Sequence, residues 1–334
     1  MINNIKLGLI GYGYWGKNLA RNLYELNALS AICDSSPKNI KNSKKLYPNI
    51  DYYNDINDLL KSDIDALVIA TPAITHEEIV RKGLNSNKHI FVEKPLCLNI
   101  TEAYALKDLA NKNNLKLMVG HLLLHHPAFI SLKDLIISGG LGNIRYIYSN
   151  RLSLGKHRKE ENALWSFAPH DISMILSLIG SEPISVEASG GYYLNKNIAD
   201  TTMTFMTFEK GVKAHVFVSW LHPFKDQKLV VVGDKAMASF VDVEEKEKKL
   251  LLYNHDINWD GETPIIEKAE GVQIKYDMSK EPLKEECKSF INWLKDDITP
   301  PSDAEEGLRV LKVLDSADKE LKRKKKNEKR FFFS

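Results

Sequence analysis

Residues 5–16 read Ile-Lys-Leu-Gly-Leu-Ile-Gly-Tyr-Gly-Tyr-Trp-Gly, a short apolar run that ends in the pattern G-x-G-x-x-G. The apolar run predicts a buried strand, and the residues after it have helical spacing. Gly11 permits a tight turn, Gly13 lets a backbone approach a pyrophosphate, and Gly16 lets the helix pack on the strand. Because a helix N-terminus attracts anions, the stretch predicts a strand–turn–helix unit that binds a dinucleotide.

An acidic residue follows at the spacing that such a unit requires. Asp34 lies 23 residues after Gly11, at the end of the apolar run Leu29–Cys33. A carboxylate there accepts hydrogen bonds from the ribose hydroxyls. It also repels a 2′-phosphate, because two like charges about 4 Å apart cost about 1–4 kcal/mol. The sequence therefore predicts NAD rather than NADP.

The first 120 residues alternate short apolar runs with helical segments, which predicts a parallel sheet covered on both faces. Thr75 with Glu78 forms a capping-box pattern, and Asn99 with Glu102 is a second plausible cap. The predicted strands are Ile5–Ile10, Leu29–Cys33, Ile64–Ala70, His89–Val92 and Lys116–Gly120, and the predicted helices are Trp15–Leu26, Thr75–Leu84 and Thr101–Ala110.

After Pro127 the pattern changes to strands with period-2 alternation joined by short turns, which predicts a large open, mostly antiparallel sheet. The predicted strands are Ile144–Leu154, Ser185–Tyr193, Thr201–Phe208, Lys213–Trp220, Lys228–Val232, Ala236–Val243 and Lys248–Tyr253. The predicted helices are Pro127–Ile137, Pro169–Leu178, Leu283–Lys295 and Asp303–Arg323.

These patterns predict an α/β plus α+β protein with two domains. Residues 1–121 are predicted to form a doubly wound, NAD-binding Rossmann domain. Residues 122–334 are predicted to form a substrate-binding and oligomerisation domain, and its open sheet predicts a homodimer or homotetramer. A length of 334 residues accommodates two domains of about 100–200 residues each.

Charge and composition exclude several classes of protein. The 46 basic and 44 acidic side chains nearly cancel, which argues against a nucleic-acid-binding body. The segment 322–330 has seven basic residues and one acidic residue, so its net +6 leaves about −4 for the rest of the chain. No signal-peptide pattern and no run of about 18–20 apolar residues is present, which predicts a cytoplasmic protein without membrane contact.

Histidines and cysteines do not form a metal-binding pattern. Cys33, Cys97 and Cys287 are far apart, so neither a disulfide framework nor a thiolate zinc site is expected. His121, His125 and His126 precede a proline that predicts a helix start, so they cannot share one helical face. We expect no metal.

Further motifs are similar to those of one family. Glu93-Lys94-Pro95 follows a predicted strand, Ala70-Thr71-Pro72 with Thr75-His76 follows another, and Gly120-His121 ends the first domain. They resemble motifs of the Gfo/Idh/MocA oxidoreductases, and the resemblance covers essentially the whole chain. Together with the glycine loop and the acid, it implies these cofactor-binding residues: Gly11, Gly13, Tyr14, Trp15, Gly16, Asp34, Thr71, Pro72, His76, Glu93, Lys94 and His121.

Lys94 and His170 are the expected catalytic residues. The resemblance implies that Lys94 lies beside the nicotinamide, where burial and the cation could lower its pKa from about 10.4 toward about 7–8, a value suited to proton transfer. His170, in the segment Trp165–Asp171, matches the family's catalytic histidine, and its predicted place at a helix start would lower its pKa. Many members have an aspartate where this chain has Ser166, which puts an aspartate-assisted proton relay in doubt.

The segment Asn150–Asp171 resembles family members that act on nucleotide sugars. The resemblance is strongest to those that oxidise the C3 hydroxyl of UDP-N-acetylglucosamine, whose 3-keto product goes to an aminotransferase that makes 3-amino sugars for lipid A or surface polysaccharide. A cluster of cations including Lys156 could bind the diphosphate or could simply face solvent. The expected substrate-binding residues are Lys94, Arg151, His157, Arg158, Asn162, Trp165 and His170.

Other functions fit the same motifs. The substrate could be another sugar, an inositol or a dTDP-ketosugar, and the family also contains NAD-dependent glycoside hydrolases. A different class is a non-catalytic NAD-binding regulator, against which the presence of both Lys94 and His170 argues. Nucleic-acid binding through the basic segment 322–330 lacks any base-reading motif.

Overall fold

A computed structural model describes residues 5–155 and 161–331, with the side chains of 256–259 and 328–331 left out. These residues divide into two compact units. The first contains the chain up to His125 together with Lys280–Leu311, and the second contains His126–Ser279 together with the chain from Lys312.

The strands of both units follow in chain order. They are β1 (Leu7–Ile10), β2 (Leu29–Cys33), β3 (Asp51–Tyr53), β4 (Ala66–Ile69), β5 (His89–Glu93), β6 (Leu117–Gly120), β7 (Ile144–Leu152), β8 (Ser185–Gly191), β9 (Thr201–Thr207), β10 (Lys213–Ser219), β11 (Asp226–Gly233), β12 (Met237–Val241), β13 (Leu250–Tyr253), β14 (Asp256–Asp260), β15 (Thr263–Glu267) and β16 (Val272–Gln273).

The helices are distributed over the same two units. They are α1 (Gly16–Glu25), α2 (Pro37–Leu46), α3 (Ile56–Leu60), α4 (His76–Asn85), α5 (Ile100–Lys112), α6 (Pro127–Ile137), α7 (Ala163–Ile179), α8 (Pro282–Asp296) and α9 (Ala304–Phe331). Within the described ranges, no helix is both long enough and apolar enough to cross a membrane.

The first unit is built on a six-stranded sheet of order β3-β2-β1-β4-β5-β6, in which every pair is parallel. Every residue of β1, β4 and β6 is buried, as expected for strands covered by helices on both faces. The predicted doubly wound Rossmann sheet is confirmed, and its carboxyl edge is where such sheets bind ligands.

Two helix caps in this unit were predicted, and one is confirmed. The Asn99 side chain accepts hydrogen bonds from the backbone N–H groups of Thr101 and Glu102 at the start of α5. The predicted capping box at Thr75 is wrong, because its hydroxyl bonds to Thr71 Oγ1 at 2.7 Å instead of a helix N–H. The chain forms a 3₁₀ turn there, Ala73–Thr75, before α4 begins.

Helix α8 belongs to the first unit, although the sequence analysis assigned all of 122–334 to the second domain. The physical reason is burial: Leu283, Cys287 and Phe290 lie in the same apolar cluster as Leu7 and Phe91 of the sheet. Helix α9 begins among the residues of the first unit and its later part counts with the second.

The second unit contains an eight-stranded sheet of order β16-β13-β12-β11-β7-β10-β9-β8. Neighbours are antiparallel except β7 and β10, so the predicted mostly antiparallel sheet is confirmed. Helix α7 packs on one face, over β7 and β10. A separate hairpin, β14–β15, was not predicted.

Helix α7 corrects the predicted helix Pro169–Leu178. It begins at Ala163, because the Asn162 side chain accepts a hydrogen bond from the Trp165 N–H and caps it. Pro169 therefore lies inside the helix, where it removes one backbone N–H from the ladder, and does not begin it. His170 is consequently the eighth residue of α7, and the predicted effect of a helix start on its pKa does not apply.

Candidate active site

The carboxyl edge of the parallel sheet holds a cavity of about 490 Å³ within the first unit. Its lining comes from the last residues of β1 and β2, from the segments that follow β1, β2, β3 and β4, and from one residue each of α3 and α4. The lining residues are Ile10, Gly11, Gly13, Cys33, Asp34, Ser35, Asn54, Asp55, Ile56, Ala70, Thr71, Pro72, Thr75 and Ile79. Strands that end at one edge bring these separate segments together.

The three glycines of the loop meet three different steric demands. Gly11 has a φ of +92°, and a Cβ there would lie 2.8 Å from the Ala70 carbonyl oxygen. A Cβ on Gly16 would lie 1.9 Å from the Gly11 carbonyl oxygen, so only glycine lets α1 start against the loop. A Cβ on Gly13 would have no atom within 4 Å, so the backbone there is open to an approaching group.

The Asp34 carboxylate is held in place at the end of β2. It accepts hydrogen bonds from the backbone N–H of Tyr12 at 2.7 Å and of Ser36 at 2.8 Å. The Asn39 amide donates to both carboxylate oxygens, at 3.1 and 3.2 Å. A carboxylate that lines the cavity and is held in place by these hydrogen bonds is a suitable acceptor for sugar hydroxyls.

Glu93 and Lys94 lie at the end of β5, the strand next to β4. The Glu93 carboxylate accepts a hydrogen bond from Trp15 Nε1 at 2.5 Å and lies 3.0 Å from where a Cβ on Gly120 would be. Burial raises the pKa of Glu93 to about 7, although the Trp15 N–H and the Lys94 charge act in the opposite direction. Lys94 itself is half-buried.

Two of the predicted cofactor residues make structural contacts within the first unit. Both ring nitrogens of buried His76 face backbone carbonyls: Nδ1 is 2.7 Å from the Pro95 oxygen, and Nε2 is 2.9 Å from the Thr71 oxygen. This ring connects the segment after β4 to the segment after β5. His121 is also buried, and its Nδ1 lies 2.5 Å from Glu306 Oε2.

The predicted cofactor residues thus fall into two sets. Five of them line the cavity: Gly11, Gly13, Asp34, Thr71 and Pro72. The others are not in the lining, and Tyr14 is 86% exposed. Sequence reasoning missed Asn39 and Asp55; the signal available for Asn39 was the start of α2, where Ser36 caps and Pro37 is the first helical residue.

Arg151, predicted to bind a diphosphate, is buried in the second unit. Its Nε donates to Asp171 Oδ2 at 2.7 Å and its Nη2 to Asp171 Oδ1 at 3.3 Å. The Ser149 hydroxyl donates to the same carboxylate at 2.6 Å. Of the two alternatives for the basic cluster, a solvent-facing side chain is wrong for Arg151, because this ion pair joins β7 to α7 inside the unit.

The other predicted substrate residues also lie in or near α7. Asn162, besides capping the helix, donates from Nδ2 to Asp318 at 3.0 Å. Trp165 is buried, whereas His170 is half-buried. His157 and Arg158, like Lys156, lie outside the described residues.

The histidines considered for a metal have protein partners. His125 Nε2 lies 2.9 Å from the Ser302 hydroxyl, and burial lowers the pKa of His125 to about 3. His126 accepts the Ala128 N–H at the start of α6. Over the described residues, no group of three or more His, Cys, Asp or Glu side chains is placed to hold a metal ion.

Two family profiles match the chain. The oxidoreductase profile of the Gfo/Idh/MocA family, described as an NAD-binding Rossmann fold, matches residues 5–121. The profile of the Gfo/Idh/MocA C-terminal domain matches residues 129–239. The first unit therefore contains an NAD-binding Rossmann domain.

Individual proteins are similar over most of the chain. UDP-N-acetylglucosamine 3-dehydrogenase of Acidithiobacillus ferrooxidans is 28% identical over 222 residues, 65% of this chain and 67% of that protein. Its solved structure has a TM-score of 0.80 at 23% identity and covers 95% of this chain and 97% of that chain.

Two further solved structures share the fold. One from Magnetospirillum magnetotacticum MS-1 is 30% identical, with a TM-score of 0.80, and covers 94% of this chain and 100% of that chain. The scyllo-inositol dehydrogenase of Lactobacillus casei, with bound NAD(H) and scyllo-inositol, has a TM-score of 0.78 at 22% identity, covering 96% of this chain and 98% of that one.

Proposed function

The chain belongs to the Gfo/Idh/MocA oxidoreductases, and on that premise we propose that it is an NAD-dependent dehydrogenase of a UDP-N-acetylhexosamine. The proposed reaction oxidises the C3 hydroxyl of UDP-N-acetylglucosamine to the 3-keto sugar. The observation that carries the proposal is the cavity at the carboxyl edge of the first sheet, with Glu93 and Lys94 at the end of the neighbouring strand. The relative from Acidithiobacillus ferrooxidans supports the choice of substrate.

The residues of the cavity fit NAD. The open backbone at Gly13 admits a pyrophosphate, and the held carboxylate of Asp34 offers acceptors to the ribose hydroxyls while repelling a 2′-phosphate. Thr71 and Pro72, which also line the cavity, would contact the bound cofactor. Bound NAD supplies the acceptor for the hydride that leaves the oxidised carbon.

Lys94 is proposed to take the proton of the substrate hydroxyl. When the C–H bond breaks and the hydride leaves C3, the O–H bond must also break, and a neutral amine at the end of β5 accepts that proton. His76 would help to hold Lys94 in position, because its Nδ1 bonds to the carbonyl of Pro95, the residue after Lys94. The same ring bonds to the carbonyl of Thr71 in the cavity lining.

His170 is proposed to orient the substrate and to assist proton transfer. Its half-buried position on α7 leaves part of the ring accessible to a ligand, unlike buried Trp165. The structure gives less support to Arg151 and Asn162 as sugar-binding residues. The Arg151 guanidinium is paired with Asp171, and the Asn162 side chain caps the N-terminus of α7.

The product would be a ketone, which an aminotransferase can convert to a 3-amino sugar nucleotide. We place the reaction in the cytoplasm, with a small-molecule substrate and neither nucleic acid nor a membrane as partner. The use of the amino sugar in lipid A or surface polysaccharide is part of the same proposal.

We also propose that the open face of the eight-stranded sheet forms a homodimer or homotetramer contact. Tyr148, His215 and Phe205 are cross-strand neighbours on this face, with ring centroids 5.5 and 5.7 Å apart. Phe205 is 52% exposed, although it lies in the middle of a strand. Aromatic residues in such a patch are typical of protein interfaces.

The test is a substrate panel with NAD, in which NADH absorbance is measured. UDP-N-acetylglucosamine, UDP-N-acetylgalactosamine, free sugars and inositols are compared, with an aminotransferase and an amino donor present to consume the ketone. We expect NADH to form only with UDP-N-acetylhexosamines. If NADH forms only with an inositol, the proposed substrate is wrong and the protein is an inositol dehydrogenase. If no compound gives NADH, the result favours a non-catalytic NAD-binding regulator.

A further inference from the structure

The Asn39 side chain makes two of the four hydrogen bonds that the Asp34 carboxylate accepts from the described residues. The backbone N–H of Tyr12 donates to Oδ2, that of Ser36 donates to Oδ1, and the Asn39 amide nitrogen donates to both oxygens. A carboxylate offers about four lone-pair sites, so each Asp34 oxygen already has two donors. Ribose hydroxyls that bind to Asp34 must therefore compete with a donor of the protein.

The three donors differ in how firmly they are held. Tyr12 and Ser36 donate backbone N–H groups, at 2.7 and 2.8 Å. The Asn39 bonds are longer, at 3.2 and 3.1 Å, and they come from a half-buried side chain that can change rotamer. The Ser36 hydroxyl caps α2 by accepting the Asn39 backbone N–H, so the side chain can turn while the start of the helix stays in place. Asn39 is therefore the donor that leaves most easily.

The position of the Asn39 amide is the one that a vicinal diol requires. A nitrogen that bonds to both oxygens of a carboxylate, and is almost equally far from each, lies beyond the open end of the group. Two adjacent ribose hydroxyls approach the same end, because each of them can then donate to one oxygen. The N–H groups of Tyr12 and Ser36 each bond to a single oxygen and do not occupy that end. The amide and the ribose thus compete for one place.

An amide is also well suited to hold that place. Its orientation is fixed, because the opposite orientation would bring the amide oxygen of Asn39 against the carboxylate. A half-buried carboxylate is destabilised when it lacks donors, and the amide supplies two hydrogen bonds. Because the amide adds no charge, it leaves in place the negative charge of Asp34 that repels a 2′-phosphate.

We propose that Asn39 is a positioning residue that exchanges with the cofactor: its amide holds the Asp34 carboxylate in place and turns aside when the adenosine ribose hydroxyls of NAD take over its two hydrogen bonds. The exchange keeps the carboxylate supplied with donors, and it subtracts from the affinity that the hydroxyls provide. The inference deepens the proposed function, since it rests on Asp34 as the acceptor for the ribose. It does not depend on the identity of the sugar substrate.

Binding of NAD in the absence of any sugar tests the exchange. NAD must displace the amide in the wild type but not in Asn39→Ala. We therefore expect calorimetric titration to give a dissociation constant about three- to tenfold lower in the variant, the net contribution of such a hydrogen bond. An unchanged or higher dissociation constant in Asn39→Ala overturns the exchange, because it would show that the amide only supports the carboxylate.

The second ligand is the NAD analogue whose adenosine ribose is 2′,3′-dideoxy. It has no hydroxyls that could replace the amide, so its dissociation constant should agree within about twofold between the wild type and Asn39→Ala. An equal gain in affinity for NAD and for the analogue contradicts the exchange, since the effect would not come from the hydroxyls. The matched control is Asn42→Ala, which removes an exposed amide of the same helix and should leave both constants unchanged.

The amide can also be observed in the wild-type protein by NMR. Its side-chain NH₂ signal is identified by its loss in Asn39→Ala or, if that variant does not fold, in Asn39→Ser, whose shorter side chain cannot bond to both oxygens. We expect the signal to move when NAD is added and to stay in place with the dideoxy analogue. A signal that responds to both ligands alike, or to neither, contradicts the exchange.

These measurements separate failure of the exchange from failure of the proposed cofactor contact. If the wild type binds NAD and the dideoxy analogue equally well, Asp34 does not accept the ribose hydroxyls, and the contact fails together with the exchange. If NAD binds more tightly than the analogue but Asn39→Ala brings no gain in affinity, the contact stands and only the exchange is wrong.

Discussion

The glycine loop after β1 and the segment Trp165–Asp171 were both predicted to be functional from sequence motifs. In the structure, the loop lies at the cavity, whereas the segment lies inside a helix. Three loop residues meet the steric demands expected of them, and two of these, Gly11 and Gly13, line the cavity. The second segment lies inside α7, where successive residues point about 100° apart and so cannot all face one ligand. A motif at a strand end therefore predicts which of its residues lie at the site. For a motif inside a helix, only the residues on one face of that helix can lie at the site.

The largest expected effect tests the chemistry proposed for the first region. Lys94→Ala should lower kcat by about 10²–10⁴-fold, because the variant lacks the amine that is proposed to take the hydroxyl proton. The dissociation constant of NAD, measured by fluorescence titration, should stay within about twofold, since Lys94 is not in the cavity lining. The control is Lys82→Ala, which removes an exposed lysine paired with Glu78. A loss of NAD affinity as large as the loss of turnover would show that Lys94 mainly binds the cofactor and would contradict its proposed role in proton transfer.

The next effect tests whether Arg151 of the second region stabilises the fold or binds phosphate. Arg151→Ala should lower the free energy of unfolding by about 3–5 kcal/mol, because it leaves the Asp171 charge buried and unpaired. Arg145→Ala on the same strand is the matched control, since its pair with Asp234 is exposed and should contribute under about 1 kcal/mol. Denaturant unfolding measures both. A stable Arg151→Ala variant that binds UDP-sugar weakly would restore the phosphate role.

A smaller effect concerns cofactor choice at Asp34. Asp34→Ala removes the charge that repels a 2′-phosphate, so the ratio of kcat/KM for NADP to that for NAD should rise by about tenfold or more. Asp58→Ala changes an exposed acid on α3 and should leave the ratio unchanged. An unaltered ratio in Asp34→Ala would show that Asp34 does not select NAD over NADP. The cofactor preference would then not be predictable from the glycine loop and the acid that follows it.

The smallest effect concerns Asn162. If this residue is a helix cap, Asn162→Ala should cost about 1 kcal/mol of stability, and Asn162→Ser, which keeps an acceptor, should cost less. The KM for the sugar nucleotide should not change in either variant. A raised KM with unchanged stability would show that the side chain contacts the substrate, and the two regions would then be more alike than the structure suggests.

Prediction from sequence succeeded where the relevant signal lies within a few residues. The Asn99 cap, the strand β2 and the helix α6 agree with the structure because hydrophobic period and capping are local properties. The start of α7 was misplaced because Pro169 is typical of a helix start, and the true cap at Asn162 lies seven residues earlier. The capping box at Thr75 failed because a nearby hydroxyl competes for its side chain.

The sequence by itself determined the Rossmann unit, the position of the cofactor loop and the acid that follows β2, because residues at consecutive strand ends need only the strand order to become neighbours. The tertiary structure alone decided that α8 completes the core of the first unit and that Arg151 pairs with Asp171. It also decided that the Glu286 side chain on α8 is fully buried, with no hydrogen-bond partner among the described residues. These contacts join residues far apart in the chain, and only the packing of apolar side chains selects which polar groups are buried together.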